Sequence, residues 1–271
     1  MCLILASLKT TPPSPTANHI PILTFHALDE LDSPISFPPH LFVRALRAWH
    51  DAGWKTIGLM DIVRLLEQGA KFPANTFVLT FDDGYHSVYR HAFPLLQALN
   101  ATATVFIAPN PRGETIGNTP LPQLYGREML RWNEIREMCA HNITFGAHTM
   151  THADLTRCDD TQLTYELETS QTVLDDALGE RTTSFAYPFG KFDARVRRRA
   201  SQFFDTAVTD RLGLMQTNSD RYALERVETY YLLPPWAADG FTRAWFPSYL
   251  TARNIPRALR RKLFAPLTPR P

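Results

Sequence analysis

Two short stretches carry residue types that can do chemistry. His148-Thr149-Met150-Thr151-His152 sets two imidazoles four residues apart. That spacing lets both face one point, and neutral imidazole suits zinc and similar divalent ions. Thr80-Phe81-Asp82-Asp83-Gly84-Tyr85 offers two adjacent carboxylates just after an apolar run. A catalytic zinc takes three protein ligands and keeps one position open, and the histidines supply two. Thr149 stands where the glutamate of an HExxH protease would be, so a general base has to come from elsewhere. The aspartate pair is the available source. One carboxylate can ligate while its neighbour receives a proton from water whose pKa the ion lowers towards about 7. Two adjacent carboxylates resist full charge together unless a cation lies close. The chemistry this predicts is metal-dependent hydrolysis. Taken singly, Asp-Asp-Gly reads as a turn and the histidine pair as incidental; their joint placement carries the prediction.

The elements that must position these residues alternate along the chain. An apolar strand over Ile20–Phe25 ends at His26. Phe42, Ala45, Leu46 and Trp49 repeat at helical spacing up to Gly53. Thr56–Leu59 reads as a strand, with Asp61 capping a helix through Leu65 and Leu66. Thr76–Phe81 is β-branched, aromatic and almost wholly apolar, as a strand buried on both faces should be. Helix follows to about Leu99, then strand over Thr102–Ala108 and a loop to about Arg127. Asn133 is a candidate cap for a helix through Ile135 and Met138. Ile143–Ala147 is a strand that delivers His148. Leu163, Leu167, Ser170, Leu174 and Ala177 mark a helix closed by Gly179. Thr183–Tyr187 runs into Pro188-Phe189-Gly190, Asp193 caps a basic helix, and Thr206–Val208 is a further strand. Such alternation predicts parallel strands joined by crossover helices, and the length suits one α/β barrel. His26, Asp82-Asp83, His148 and Pro188-Phe189-Gly190 all fall at strand ends, where barrel sites lie.

The 271 residues are 44% hydrophobic and 20% charged, enough apolar content to bury a core. A formal net charge of +1 gives no reason to invoke nucleic acid. The distribution is uneven, with seven Arg or Lys against Asp239 alone from Trp236 onward. That stretch could attach to an anionic membrane surface, although a solvated end is the plainer reading. Cys2, Cys139 and Cys158 show no CxxC spacing, which argues against a disulfide framework or a cysteine metal site. Residues 9–21 carry four prolines and read as a flexible lead-in. The N-terminus makes a poor signal peptide and no stretch is long enough to span a bilayer. A cytoplasmic chain is therefore expected over one in the cell envelope. The expected organisation is a lead-in over 1–19, one catalytic domain over 20–235 and a basic extension over 236–271.

Thr80–Tyr85 resembles the first motif of the polysaccharide deacetylases with the NodB homology domain (carbohydrate esterase family 4). His148–His152 is similar to their second motif, H-[ST]-x-x-H, and Phe185-Ala186-Tyr187-Pro188-Phe189-Gly190 resembles the third. With Thr24-Phe25-His26, the pattern looks most like the branch that includes the poly-β-1,6-N-acetylglucosamine deacetylases. The resemblance runs over about residues 20 to 233. It implies a distorted (β/α) barrel of about seven parallel strands. It implies that Asp83, His148 and His152 hold a divalent metal, zinc before cobalt, nickel, manganese or iron, and that Asp82 is the general base. The backbone N–H of Phe189 would stabilise the oxyanion, with Tyr187 and Pro188 facing the substrate. The reaction implied is removal of N-acetyl groups from an N-acetylhexosamine-containing glycan.

Two departures stand out. Ala186 occupies the place where many members carry an arginine that orients the base, and no histidine follows His152 to serve as the late general acid. His26 is the best-placed imidazole to protonate the leaving amine. Trp132 is a further aromatic that could stack on a sugar, and His86, Arg90 and His91 read as a solvated helix face. The alternatives are a metal amidohydrolase acting on a non-carbohydrate C–N bond and a non-catalytic carbohydrate-binding relative.

Overall fold

A computed structural model describes residues 16–109 and 120–263, with side chains to residue 255. Seven parallel strands close into a barrel. They are β1 (Ile22–Phe25), β2 (Thr76–Phe81), β3 (Ala103–Ile107), β4 (Ile143–Ala147), β5 (Ser184–Ala186), β6 (Thr206–Leu212) and β7 (Leu224–Glu228). Their order round the barrel follows the chain, and β1 closes the ring by pairing with both β2 and β7. A two-residue strand, Lys55–Thr56, adds to β2 below the closure.

The period of two along each strand sorts side chains between two separate cores. Leu23, Phe25, Leu79, Phe81, Val105, Ile107, Phe145, Ala147, Phe185 and Val227 face the surrounding helices and belong to one buried cluster. Ile22, Val78, Phe106, Ala186, Val208 and Leu224 belong to a second, inside the barrel. Even-numbered strand residues therefore point inward, except past the irregularity in β6 after Val208, where Leu212 joins the outer cluster. That parity carries Thr24, Thr80, Asp82 and Arg226 to the interior, and all four are buried.

The helices cover the outer face. α1 (Pro39–Asp51) buries Phe42, Ala45, Leu46 and Trp49, the stripe expected from its spacing. α2 (Leu59–Glu67) begins earlier than its sequence suggests. Gly58 is its N-cap and Leu59 its first residue, so Leu59 is not in a strand; Asp61 lies in the first turn and pairs with Arg64. A π-helical turn, Val88–Ala92, leads into α3 (Phe93–Ala98). α4 (Trp132–Cys139) is capped by Arg131 rather than Asn133, because the Glu134 carboxylate reaches back to the Arg131 N–H. α5 (Asp160–Leu178) ends on the left-handed Gly179, and Asp193 caps α6 (Ala194–Phe203) as its position implies.

Two helices follow the barrel, a short one and a long one. α7 (Pro235–Gly240) packs on α1, where the Trp49 indole N–H donates to the Ala238 carbonyl at 2.9 Å. Phe241 then lies against Trp49, Trp54 and Phe77. In α8 (Phe246–Leu263), Phe246 and Leu250 are buried in the same outer core. At the other end, Thr16–Ala17 pairs with Phe72–Pro73 and His19–Ile20 with Met215–Gln216, so the chain is tied down ahead of residue 20. The rest of the proline-rich lead-in, part of the loop before Arg127 and the last basic residue, Arg270, lie outside the described residues. Among those described, no helix is long and apolar enough to cross a membrane.

Candidate active site and metal centre

The strand ends bring the two motifs together. Asp82 and Asp83 leave β2, His148 leaves β4, and a left-handed turn at Thr149 and His152 folds the second imidazole back over the first. The Nε2 atoms of His148 and His152 lie 3.4 and 3.3 Å from Oδ1 of Asp83. Ligands on a tetrahedral zinc at 2.0–2.1 Å stand about 3.3 Å apart, so these two separations suit a shared ion, and all three donor atoms lie within 4.8 Å of one another. The three residues form the one group among those described whose donor atoms are spaced to hold a metal. His148 Nδ1 lies 2.7 Å from the Ala186 carbonyl. Donation of Nδ1–H to that oxygen fixes the tautomer that leaves Nε2 free to ligate.

Asp82 points into the barrel beside this trio. Arg226, from β7, meets it with both ends of the guanidinium, Nη1 to Oδ1 at 2.8 Å and Nη2 to Oδ2 at 2.6 Å. Arg226 also donates Nε–H to the Thr209 carbonyl and Nη1–H to Thr80 Oγ1. A guanidinium thus reaches Asp82 from β7, although Ala186 on β5 offers none. The signal of Arg226 in the sequence is parity: Leu224 belongs to the barrel interior, so Arg226 shares its face, and a buried arginine needs a carboxylate.

Electrostatics follow from these contacts. Burial pulls the Asp82 carboxyl upward, but the charge and hydrogen bonds of Arg226, helped by His26 and His148, hold it below the usual carboxylate range. Asp83 is equally buried, yet hydrogen bonds from His148 and His152 hold it well below that range. Burial would depress His148; the hydrogen bond it donates to Asp83 and the two aspartate charges raise it instead.

The cavity over these residues is about 200 Å³ and is lined by His26, Asp82, Asp83, Tyr125, His148, His152, Tyr187, Phe189, Asp210, Arg226 and Glu228 among others. His26 sits with Nε2 3.9 Å from Asp82 Oδ2 and remains partly open to solvent. Phe189 adopts φ 59° within the turn Pro188–Gly190, whose backbone bonds use the N–H groups of Gly190 and Lys191. Its ring is 49% exposed and stands edge-on to His152. Tyr125, 59% exposed, flanks His152 from the other side.

Other expected residues sit differently. The Tyr187 ring lines the cavity but is already stacked on Phe192, and its hydroxyl donates to the Tyr222 carbonyl. Pro188 is buried and opens the turn without lining the cavity. Trp132 is core. His86 bridges Glu128 and Glu134 outside the cavity.

The polysaccharide deacetylase family model matches residues 69–206, just over half the chain. A Bacillus subtilis (strain 168) protein described as a polysaccharide deacetylase, YxkH, is 27% identical over 223 residues, 82% of this chain and 74% of its own length. The poly-β-1,6-N-acetyl-D-glucosamine N-deacetylase of Staphylococcus epidermidis is 22% identical over 188 residues, 66% of this chain and 62% of that protein. The Streptococcus pyogenes deacetylase PplD, solved with acetate, superposes with a TM-score of 0.69 at 24% identity, over 78% of this chain and 92% of that one.

Proposed function

The chain belongs to the polysaccharide deacetylase family, and from that premise we propose that it is a divalent-metal-dependent hydrolase that removes N-acetyl groups from an N-acetylhexosamine-containing glycan or glycan precursor. The observation that carries this reading is the pairing of the Asp83–His148–His152 trio with a separate carboxylate, Asp82, braced by Arg226. The site separates a ligand from a base, which amide hydrolysis at neutral pH requires.

Asp83, His148 and His152 would hold the ion. When bound, a divalent metal polarises the acetamide carbonyl and lowers the pKa of water. Asp82, kept ionised by Arg226, takes the proton from the attacking water. The Phe189 N–H donates to the oxyanion as the carbonyl becomes tetrahedral. His26 hands a proton to the leaving nitrogen as the C–N bond breaks, so acetate and a free amine result. Phe189 and Tyr125, the exposed rings at the mouth, offer faces to a sugar ring, a role that Tyr187 is too enclosed to fill. The Staphylococcus epidermidis relative favours a β-1,6-linked substrate.

The test is acetate release by zinc-loaded protein from β-1,6-linked and β-1,4-linked N-acetylglucosamine oligomers, with Asp82→Asn as the control. Release that the control loses supports the reading. Zinc binding with no release from any glycan sinks the carbohydrate substrate and leaves another amide. Absence of zinc binding leaves a non-catalytic glycan-binding relative.

A further inference from the structure

Beyond the motif residues, the second metal loop rests on a buried carboxylate. Glu166, from α5, is 6% exposed and accepts three hydrogen bonds from the segment between the two histidines. The donors are the backbone N–H groups of Met150 (2.8 Å) and Thr151 (2.9 Å) and the hydroxyl of Thr151 (2.6 Å). The same loop turns through left-handed conformations at Thr149 and His152, with φ 63° and 58°. Thr149 Oγ1 accepts from Ala153 N–H and closes the turn on its other side. The path from one imidazole to the other is thus fixed by a residue that belongs to neither motif.

Charge gives a second, independent argument. Among the described residues, the buried Asp, Glu, Lys and Arg side chains are Asp82, Asp83, Glu134, Glu166 and Arg226. Glu134 meets His86, and Asp82 meets Arg226. Among the described residues, no lysine or arginine lies within ion-pair distance of Asp83, which meets His148 and His152, or of Glu166, which meets only hydrogen-bond donors of the loop. A buried carboxylate without a formal cation is costly. With both imidazoles neutral, as ligands are, these two carboxylates match the charge of one divalent cation.

We propose that Glu166 is a positioning residue of the metal centre. It holds the His148–His152 loop in its ligating conformation and contributes one of the two buried negative charges that a divalent ion balances. This rests on the reading of Asp83, His148 and His152 as metal ligands.

The test measures zinc affinity by competition with a chromophoric chelator, alongside the melting temperature of the metal-free protein. Glu166→Gln keeps the shape and removes the charge; its amide oxygen can still accept from the two backbone N–H groups, while its NH2 replaces the oxygen that accepted from the Thr151 hydroxyl. Zinc affinity is expected to fall about 10- to 100-fold, as for other groups that orient metal ligands. Leu174→Ala is the control, because Leu174 is buried on the same helix, about 12 Å further along its axis than Glu166. It should lower the melting temperature and leave zinc affinity near wild type. Equal affinity in wild type and Glu166→Gln overturns the proposal. So does an equal loss of affinity in Leu174→Ala, which would make the effect one of helix stability. Failure of the wild-type protein to bind zinc sinks the metal reading itself, and this inference with it.

Discussion

Replacing Arg226 with Met keeps a stem of similar length and removes the charge. Arg226 and Asp82 are each 3% exposed, and their two contacts are 2.8 and 2.6 Å. Water cannot take over the role of the guanidinium there. Breaking a buried pair from one side costs about 3–5 kcal/mol, because the remaining charge is stranded. The protein can avoid that cost by protonating Asp82. At 1.36 kcal/mol per pKa unit, the same energy corresponds to a rise of about 2–4 units. The wild-type carboxyl lies below its usual value, held there against burial by Arg226. Its base is therefore ionised throughout the neutral range. In the variant burial is no longer opposed by the guanidinium, so the carboxyl should titrate well above its wild-type position. The acid limb of kcat/KM for acetate release should then move up by about two units or more, with activity recovering towards pH 9. Stability should change sign as well. In wild type, the depressed folded pKa contributes stability above the unfolded value near 3.9, lost as pH falls through the folded pKa. In Arg226→Met the folded pKa is raised, so the contribution exists only below the unfolded value and disappears as pH rises through the folded one. A folded, zinc-loaded variant with an unmoved acid limb would refute the assignment of Asp82 as a base tuned by Arg226.

Other expected outcomes follow from single residues. His26→Ala should lower kcat about 100-fold or more at unchanged metal content, the scale of a lost general acid; unchanged turnover removes His26 from the reaction. Gly190→Ala would place a Cβ 2.1 Å from Cγ of Asp210 at φ 61°. It should displace the Phe189 turn and cost roughly 100-fold in kcat/KM, the scale of a 1 Å misplacement, while zinc affinity is retained; wild-type kinetics would remove the turn from catalysis. Dialysis against a chelator should abolish acetate release and lower the melting temperature, both restored by zinc. At a free zinc concentration 100 times Kd, the ion should add about 2.7 kcal/mol of stability. Phe241→Ala should cost about 3–5 kcal/mol in denaturant unfolding, because the ring is buried against Trp49, Trp54 and Phe77; a loss under about 1 kcal/mol would show that α7 adds little to the cooperative core.

The barrel strands are legible because both their faces are buried: Thr76–Phe81 and Ala103–Ile107 carry almost no polar residue except inward threonines. The proposed ligands are legible because short motifs hold them at strand ends. Arg226 is harder to see. Leu-Glu-Arg-Val-Glu reads as an ordinary alternating strand, and its partner lies 144 residues away. Glu166 is hidden in another way, since it interrupts the buried stripe Leu163, Leu167, Ser170, Leu174 at a helical spacing that also fits a solvated face. Strand parity marks Arg226 only once Leu224 is known to face inward, and the role of each residue is explained only by the group it meets across the fold. The cap at Arg131 is missed for a local reason: a Glu three residues on satisfied the N-terminus without help from Asn133.

Backbone strain links these parts. Of the eight non-glycine residues at positive φ among those described, Asp83, Tyr125, His152 and Phe189 line the cavity and Thr149 lies in the loop between its two histidines. Each such conformation costs on the order of 1–3 kcal/mol and persists only where its surroundings over-determine it. The surroundings here come from outside the motifs. The Gly84 carbonyl, next to Asp83, accepts from Leu130 N–H; Glu166 pins the segment between Thr149 and His152; the ring of Phe189 stands between His152 and Lys191. Motif residues alone would relax out of the ligating geometry. It follows that substitutions at these supports should weaken metal affinity before they unfold the barrel, whereas substitutions in the outer core, such as Phe241→Ala, should do the reverse.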